Sequence, residues 1–316
     1  MASVLVLGGS GFFGKNFVDS FLEGTLSPFG MKELVLASRS YPKAHNTVFS
    51  PQNIKYEKLD LRTTEHLPDA DYIFHFAASG QESDYLTDAG AQFDNIYRNV
   101  ENFAEIIRRT NFSGKIVFAS SGAVYGPQFE KKWLSESDLP SQFEKFPKNK
   151  LVYAEAKLEA EKVIRRLGEE GYDCAIARCF AFVGKHLPLD GHYAVGNFMQ
   201  NILSGNPIRL RASKVVYRSY LHADELVKWL CTIASKASSD CPVYNVGSDD
   251  AISLLKLVQT LSLEYDKEFI VENDQMDDID AYIPSVQKAR EELGLEPSLG
   301  SIEAVKMSIA QLRRLT

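Results

Sequence analysis

One short stretch limits the folds open to this chain more than any other. Val4-Leu5-Val6-Leu7 runs directly into Gly8-Gly9-Ser10-Gly11-Phe12-Phe13-Gly14, and a helical pattern follows over Lys15–Leu22. A buried strand that enters a glycine turn and opens a helix is the start of a βαβ unit. Glycine permits the tight turn and lets backbone N–H groups approach a ligand closely. The helix N-terminus adds the positive end of the helix dipole. Gly9, Gly11 and Gly14 satisfy a GxGxxG spacing, and Gly8, Gly11 and Gly14 a GxxGxxG spacing. In this context either spacing predicts a seat for the pyrophosphate of a dinucleotide, built from Gly8, Gly11, Phe12, Phe13 and Gly14.

The alternation continues along the chain. Leu34–Ala37, Tyr56–Leu61, Tyr72–Phe76, Ile116–Ala119 and Cys174–Ala177 read as further buried strands, with helices over Phe93–Arg109 and Leu151–Leu167. Near-continuous apolar strands separated by amphipathic helices predict an α/β protein. Its core would be a Rossmann-type doubly wound parallel sheet of six or seven strands, with helices on both faces. After Arg178 the pattern loosens into a polar-aromatic loop over 184–196, a helix over Val195–Leu203 and a terminal helix near Ile302–Leu312. We expect a dinucleotide-binding domain over 1–180 and a smaller substrate lobe over 181–316. Val243–Val246 would be a strand able to return to the first sheet.

The formal charge of −7 argues against nucleic acid as the partner. Any phosphate on a ligand must then be held by a local site. No stretch approaches the roughly 18 apolar residues of a membrane helix. Met1 to Leu7 lacks the basic region and cleavage site of a signal peptide. The four cysteines show no CxxC spacing that would suggest a metal site. The expectation is a cytoplasmic protein with no membrane partner and no metal.

The second strand ends in Ala37-Ser38-Arg39-Ser40, where no carboxylate is present to take the ribose 2′-hydroxyl of NAD. Ser38 and Arg39 offer donors suited to a 2′-phosphate. NADP(H) is therefore the favoured cofactor, with NAD(H) still open. Asp60 and Leu61, at the end of the third strand, are placed to meet adenine. The fifth strand ends at Ser120-Ser121, and Tyr153 and Lys157 stand at i and i+4 on one helical face. An ammonium near a phenol favours the phenolate, so Tyr153 can exchange a proton with a sugar hydroxyl or ketone. Ser121 would bond the same oxygen, and Lys157 would also hold the nicotinamide ribose.

This ordered set resembles the extended short-chain dehydrogenase/reductase family, the nucleotide-sugar epimerases, dehydratases and reductases, over nearly the whole chain. The resemblance places Ala77 and Ala78 of Phe74-His75-Phe76-Ala77-Ala78 beside the dinucleotide and Asn99 against the active-site strand. Ser121, Tyr153 and Lys157 match its catalytic positions, and Phe180 of Arg178-Cys179-Phe180 lies on its nicotinamide side. Asn197 and Arg218 resemble residues that bind the diphosphate of a nucleotide-diphosphate sugar. His192, in the loop before Asn197, either faces the sugar or is solvated. A homodimer through the helices over 93–109 and 151–167 is also implied.

Departures narrow the activity. Gly122 and Ala123 stand where the family's 4,6-dehydratases carry an Asp-Glu pair, which disfavours elimination. The Ser121–Tyr125 segment has no cysteine of the kind used for C3/C5 epimerisation. Ala181 and Ser219 replace the family's Asn and Asp, and the stretch 275–280 is acidic and lacks a second phosphate-binding Arg. Three readings remain: an NADPH-dependent 4-ketoreductase of a nucleotide-linked 4-keto-6-deoxyhexose, an NAD-dependent nucleotide-hexose 4-epimerase, and a non-catalytic dinucleotide sensor. Intact Ser121, Tyr153 and Lys157 speak against the last.

Overall fold

The computed structural model describes residues 2–40, 53–77, 89–191, 193–272 and 278–315. The first six strands are β1 (Ala2–Leu7), β2 (Met31–Ser38), β3 (Ile54–Lys58), β4 (Tyr72–His75), β5 (Lys115–Ser121) and β6 (Asp173–Cys179). Four short strands follow: β7 (Phe182–Val183), β8 (Ile208–Leu210), β9 (Val215–Arg218) and β10 (Leu221–His222). Then come β11 (Val243–Val246), β12 (Ile252–Ser253), β13 (Phe269–Val271) and β14 (Ile279–Tyr282). Seven of these form one sheet in the order β11-β6-β5-β4-β1-β2-β3. The pairs β1–β2, β2–β3, β1–β4 and β4–β5 are parallel. Strand order reverses between β1 and β4, and in such sheets ligands bind beyond the carboxyl ends of the strands at that reversal.

Both faces of the sheet are covered, which is why its strands read as unbroken apolar runs. Val4, Leu5, Val6 and Leu7 are all buried. Leu5 and Leu7 face one way, into a core completed by Ile96, Val100 and Phe103 of the helix Ala89–Thr110 and by Ala156, Ala160 and Ile164 of the helix Lys148–Glu169. On the opposite face Phe17, from the helix Phe12–Leu22, packs on Phe74 with ring centroids 4.8 Å apart. The third strand lies earlier than the sequence suggests, ending at Lys58 rather than Leu61. Asp60 is the cause. Its carbonyl accepts Thr63 N–H and Thr64 N–H, and its carboxylate accepts Arg62 N–H, so the chain turns instead of continuing the ladder.

The chain falls into two compact units. The first comprises Met1–Val124, Pro147–Arg178 and Val227–Tyr244; the second comprises Tyr125–Phe146, Cys179–Leu226 and Asn245–Thr316. A single cut at residue 180 leaves 125–146 and 227–244 on the other side from their own units. In the second unit β9 pairs with β12 antiparallel and with β14 parallel. Asn245 joins three segments there: Tyr125 Oη donates to its Oδ1 at 2.8 Å, and its Nδ2 donates to the carbonyls of Leu134 and Ser285. Among the described residues no helix is long and apolar enough to cross a membrane.

Phe103 is fully buried between the helix and the sheet. Phe103→Ala should lower the unfolding free energy by about 3–5 kcal/mol, read by denaturant titration of the whole chain.

Candidate active site

The glycine turn is shaped by two different requirements. Gly8 adopts φ +96°, in the left-handed region, and a Cβ there would come within 3.0 Å of the Phe76 carbonyl carbon. Gly8 N–H and Gly9 N–H both donate to the Ala37 carbonyl, at 2.8 and 3.0 Å. A Cβ on Gly9 would sit 2.7 Å from Leu36 Cβ, and one on Gly14 would collide with the backbone of Gly9. These three glycines let helix and sheet approach. Gly11 differs: it is exposed, and its nearest neighbour for a Cβ is Gly8 O at an ordinary 3.4 Å. The fold does not demand glycine at position 11, whereas close approach of a ligand to its backbone would. No side chain caps the helix that Gly11 opens. Phe13 stacks on Phe76 at 4.7 Å and ties this turn to the end of β4, beside the half-buried Ala77. The residues present fit a pyrophosphate.

At the end of β2, Ser38 Oγ donates to the Ser40 carbonyl and Arg39 is exposed. Asp60 is held by a residue the sequence reading did not single out. Arg62 binds the carboxylate through Nε at 3.0 Å and NH2 at 2.6 Å, and through its backbone N–H at 3.0 Å. Those side-chain bonds from Arg62, then its backbone bond and charge and the charge of Arg39, bring the Asp60 pKa down to about 2 despite partial burial. Arg62 NH1 also donates to Asn95 Oδ1, and Asn102 Nδ2 donates to the carbonyls of Leu61 and Thr64. A charged Asp two positions before an Arg at a strand end was the signal available for this clamp. The half-buried Asn99 lies one turn before Asn102 on the same helix.

Ser121, Tyr153 and Lys157 all lie in the first unit. Ser121 is buried at the end of β5, and its Oγ accepts Ala123 N–H at 3.2 Å. Tyr153 is half-buried on the helix Lys148–Glu169. One turn on, Lys157 is buried; its Nζ donates to the Ala119 carbonyl at 2.8 Å and lies 4.9 Å from the Phe118 ring centroid and 6.0 Å from that of Tyr153. On the neighbouring β4, His75 sits edge-on to Phe103 and Phe118. Burial, with the charge of Lys157 acting the same way, pushes its pKa down to about 3. A neutral imidazole therefore adds no competing charge near the ammonium.

Phe180, Asn197 and Arg218 belong to the second unit. Phe180 is buried against Tyr282, with ring centroids 4.7 Å apart. Asn197 Nδ2 donates to the Gly191 carbonyl at 3.2 Å. Arg218 NH1 donates to the carbonyls of Tyr217 and Asp280, and NH2 pairs with the Asp280 carboxylate at 3.2 Å. Ala78 and His192 lie outside the described residues.

The model of the NAD dependent epimerase/dehydratase family matches residues 4–247. The chain is 25% identical over 331 residues to a dTDP-4-dehydro-6-deoxyglucose reductase of Escherichia coli, with 98% of this chain and 97% of that one covered. It is 22% identical to UDP-glucuronic acid decarboxylase 1 of Arabidopsis thaliana, covering 98% of this chain and 69% of the relative. Among solved structures, UDP-glucose 4-epimerase of Thermotoga maritima with UDP-glucose superposes with a TM-score of 0.80 at 21% identity, covering 99% of each chain. A dTDP-glucose 4,6-dehydratase of Streptomyces venezuelae with NAD gives 0.82 at 19% identity, covering 99% of this chain and 97% of that one. At these identities the two superpositions establish the shared fold.

The two kinds of glycine should separate on substitution. Gly14→Ala should cost about 1–3 kcal/mol of stability, as overpacking does. Gly11→Ala should stay within about 1 kcal/mol of the parent yet weaken dinucleotide binding at least about tenfold. Thermal melts and calorimetric titration of both variants check this.

Proposed function

The chain belongs to the NAD dependent epimerase/dehydratase family, and from that premise we propose that it is a nucleotide-sugar 4-ketoreductase. In this reading it reduces the keto carbon of a nucleotide-linked 4-keto-6-deoxyhexose with NADPH. One observation carries it: β5, which ends in Ser121, packs on the helix that holds Tyr153 and Lys157, and Gly122 and Ala123 stand where the resemblance places the dehydratases' acid–base pair. The likeness to the E. coli reductase, along nearly the full length of both chains, supports the same reading.

When bound, the dinucleotide supplies the hydride. The chain's own residues do the rest. Tyr153 gives its phenolic proton to the oxygen of the reduced carbon, and Ser121 Oγ hydrogen-bonds that oxygen. An ammonium has three donors. Lys157, anchored through one of them on Ala119 O, holds the ribose while its charge favours the phenolate. The turn Gly8–Gly14 holds the pyrophosphate, Ala77 and Ala78 flank it, and Phe180 borders the nicotinamide. Asp60 and Leu61 face adenine. Two arginines, Arg39 and Arg62, at the ends of adjacent strands suit the 2′-phosphate of NADPH. Asn197, Arg218 and His192 take the diphosphate and sugar of the substrate, and the chain acts as a homodimer.

An assay of NADPH and NADH oxidation against nucleotide-linked 4-keto-6-deoxyhexoses tests the proposal. We expect turnover with NADPH preferred. Interconversion of unmodified nucleotide hexoses with no net cofactor consumption would make the protein a 4-epimerase instead. Tyr153→Phe should lower kcat by roughly 10²–10⁴-fold with dinucleotide affinity unchanged. Arg39→Ala should weaken NADPH binding about tenfold, the effect of losing one charge-assisted bond, and leave NADH binding unaltered.

A further inference from the structure

Among the described Lys, Arg, Asp and Glu side chains three are buried, namely Lys157, Glu161 and Arg178, and all three gather at one place. Tyr153, Lys157 and Glu161 follow one another at intervals of four on the helix Lys148–Glu169, so they share a face. Glu161 Oε1 accepts Ser120 Oγ–H at 2.6 Å and Arg178 Nε–H at 2.9 Å, and Oε2 accepts Arg178 NH2 at 2.8 Å. Ser120 directly precedes Ser121 on β5, and Arg178 is the penultimate residue of β6. Arg165, one turn further along the helix, approaches Glu161 Oε2 at 3.7 Å from a more exposed position.

Stability alone does not account for such a cluster, because a buried ion pair is often matched or bettered by apolar side chains of similar volume. Its geometry offers another account. A Lys and a Glu four apart on a helix are neighbours able to pair. Here the fork of Arg178 and the hydroxyl of Ser120 occupy the Glu161 carboxylate, and the Lys157 ammonium turns to Ala119 O instead. The helix is thereby pinned to β5 at two adjacent residues, Ala119 and Ser120.

We infer that Glu161 and Arg178, with Ser120, are positioning residues: their buried network sets the helix against β5 and so fixes where Lys157 stands beside Tyr153. This rests on reading Tyr153 and Lys157 as the catalytic pair.

The mild test is Ser120→Ala, which removes one hydrogen bond and leaves the ion pair in place, with Ser120→Thr as the rescue. Because Glu161→Gln alone would strand the Arg178 charge and could fail to fold, the second variant is Glu161→Met/Arg178→Met, which removes both charges together. The readout in the ligand-free protein is the titration midpoint of Tyr153, followed by ¹³C NMR of labelled tyrosine and assigned by its loss in Tyr153→Phe. A second readout is the kcat and KM of NADPH-dependent reduction. Ser120→Ala should raise the midpoint by about one unit, as expected when a neighbouring charge is less well placed. It should also lower kcat about tenfold at unchanged KM, with the melting temperature down by about 2–6 °C for the lost buried bond to a carboxylate, and Ser120→Thr should restore the midpoint and kcat. The double variant should fold and show the same upward shift. A wild-type midpoint in either Ser120→Ala or the double variant overturns the inference. A midpoint near the ordinary value of about 10 in the unaltered protein would remove the catalytic pair, and the positioning role with it.

Discussion

Where the helix Phe12–Leu22 meets the end of β1, Gly14 lies against the backbone of Gly9 with no room for a Cβ, and this contact sets how closely the helix can approach the sheet. The neighbouring constraints depend on it. Gly8 and Gly9 share the Ala37 carbonyl, which ties the turn to β2, and the stack of Phe13 on Phe76 ties it to β4. The turn is thus fixed at the point where strand order reverses. Backbone there is held by the fold on one side and unshielded by side chains at Gly11 on the other. A pyrophosphate needs both conditions, since amide donors must be immobile before the ligand arrives and reachable when it does.

Electrostatics follow a similar division of labour in the first unit. At the ends of β2 and β3, Arg39 is exposed and the carboxylate of Asp60 is engaged by Arg62. On the helix Lys148–Glu169 the Lys157 ammonium stands 6.0 Å from the Tyr153 ring centroid. His75 stays neutral through burial, and Glu161 is engaged by Arg178.

Much of this was legible in the sequence for a simple reason: the features that mark the fold are local. A strand buried on both faces must be apolar throughout, so β1, β2, β4, β5 and β6 stand out as runs, and the turn after β1 declares itself by composition. Tyr153 and Lys157 are legible because helical periodicity puts them on one face. The end of β3 was misjudged because Asp60 turns the chain with its own carboxylate, a side-chain choice that apolar patterning does not register. Arg62, Asn102 and the Glu161–Arg178 pair were missed because each works through a partner on another element. In Lys157-Leu158-Glu159-Ala160-Glu161, Glu161 reads like any solvated helix glutamate until β6 brings Arg178 to it. The exchange of 125–146 and 227–244 between the units is likewise a property of tertiary packing and leaves no local trace.

The most direct test is a crystal structure of the protein with NADP⁺. It should show the phosphates on the backbone of Gly8 to Gly14, Lys157 Nζ on the nicotinamide ribose, and the phenol of Tyr153 facing the nicotinamide C4. A dinucleotide bound away from that turn, or a Tyr153 phenol directed away from the nicotinamide, would contradict the account.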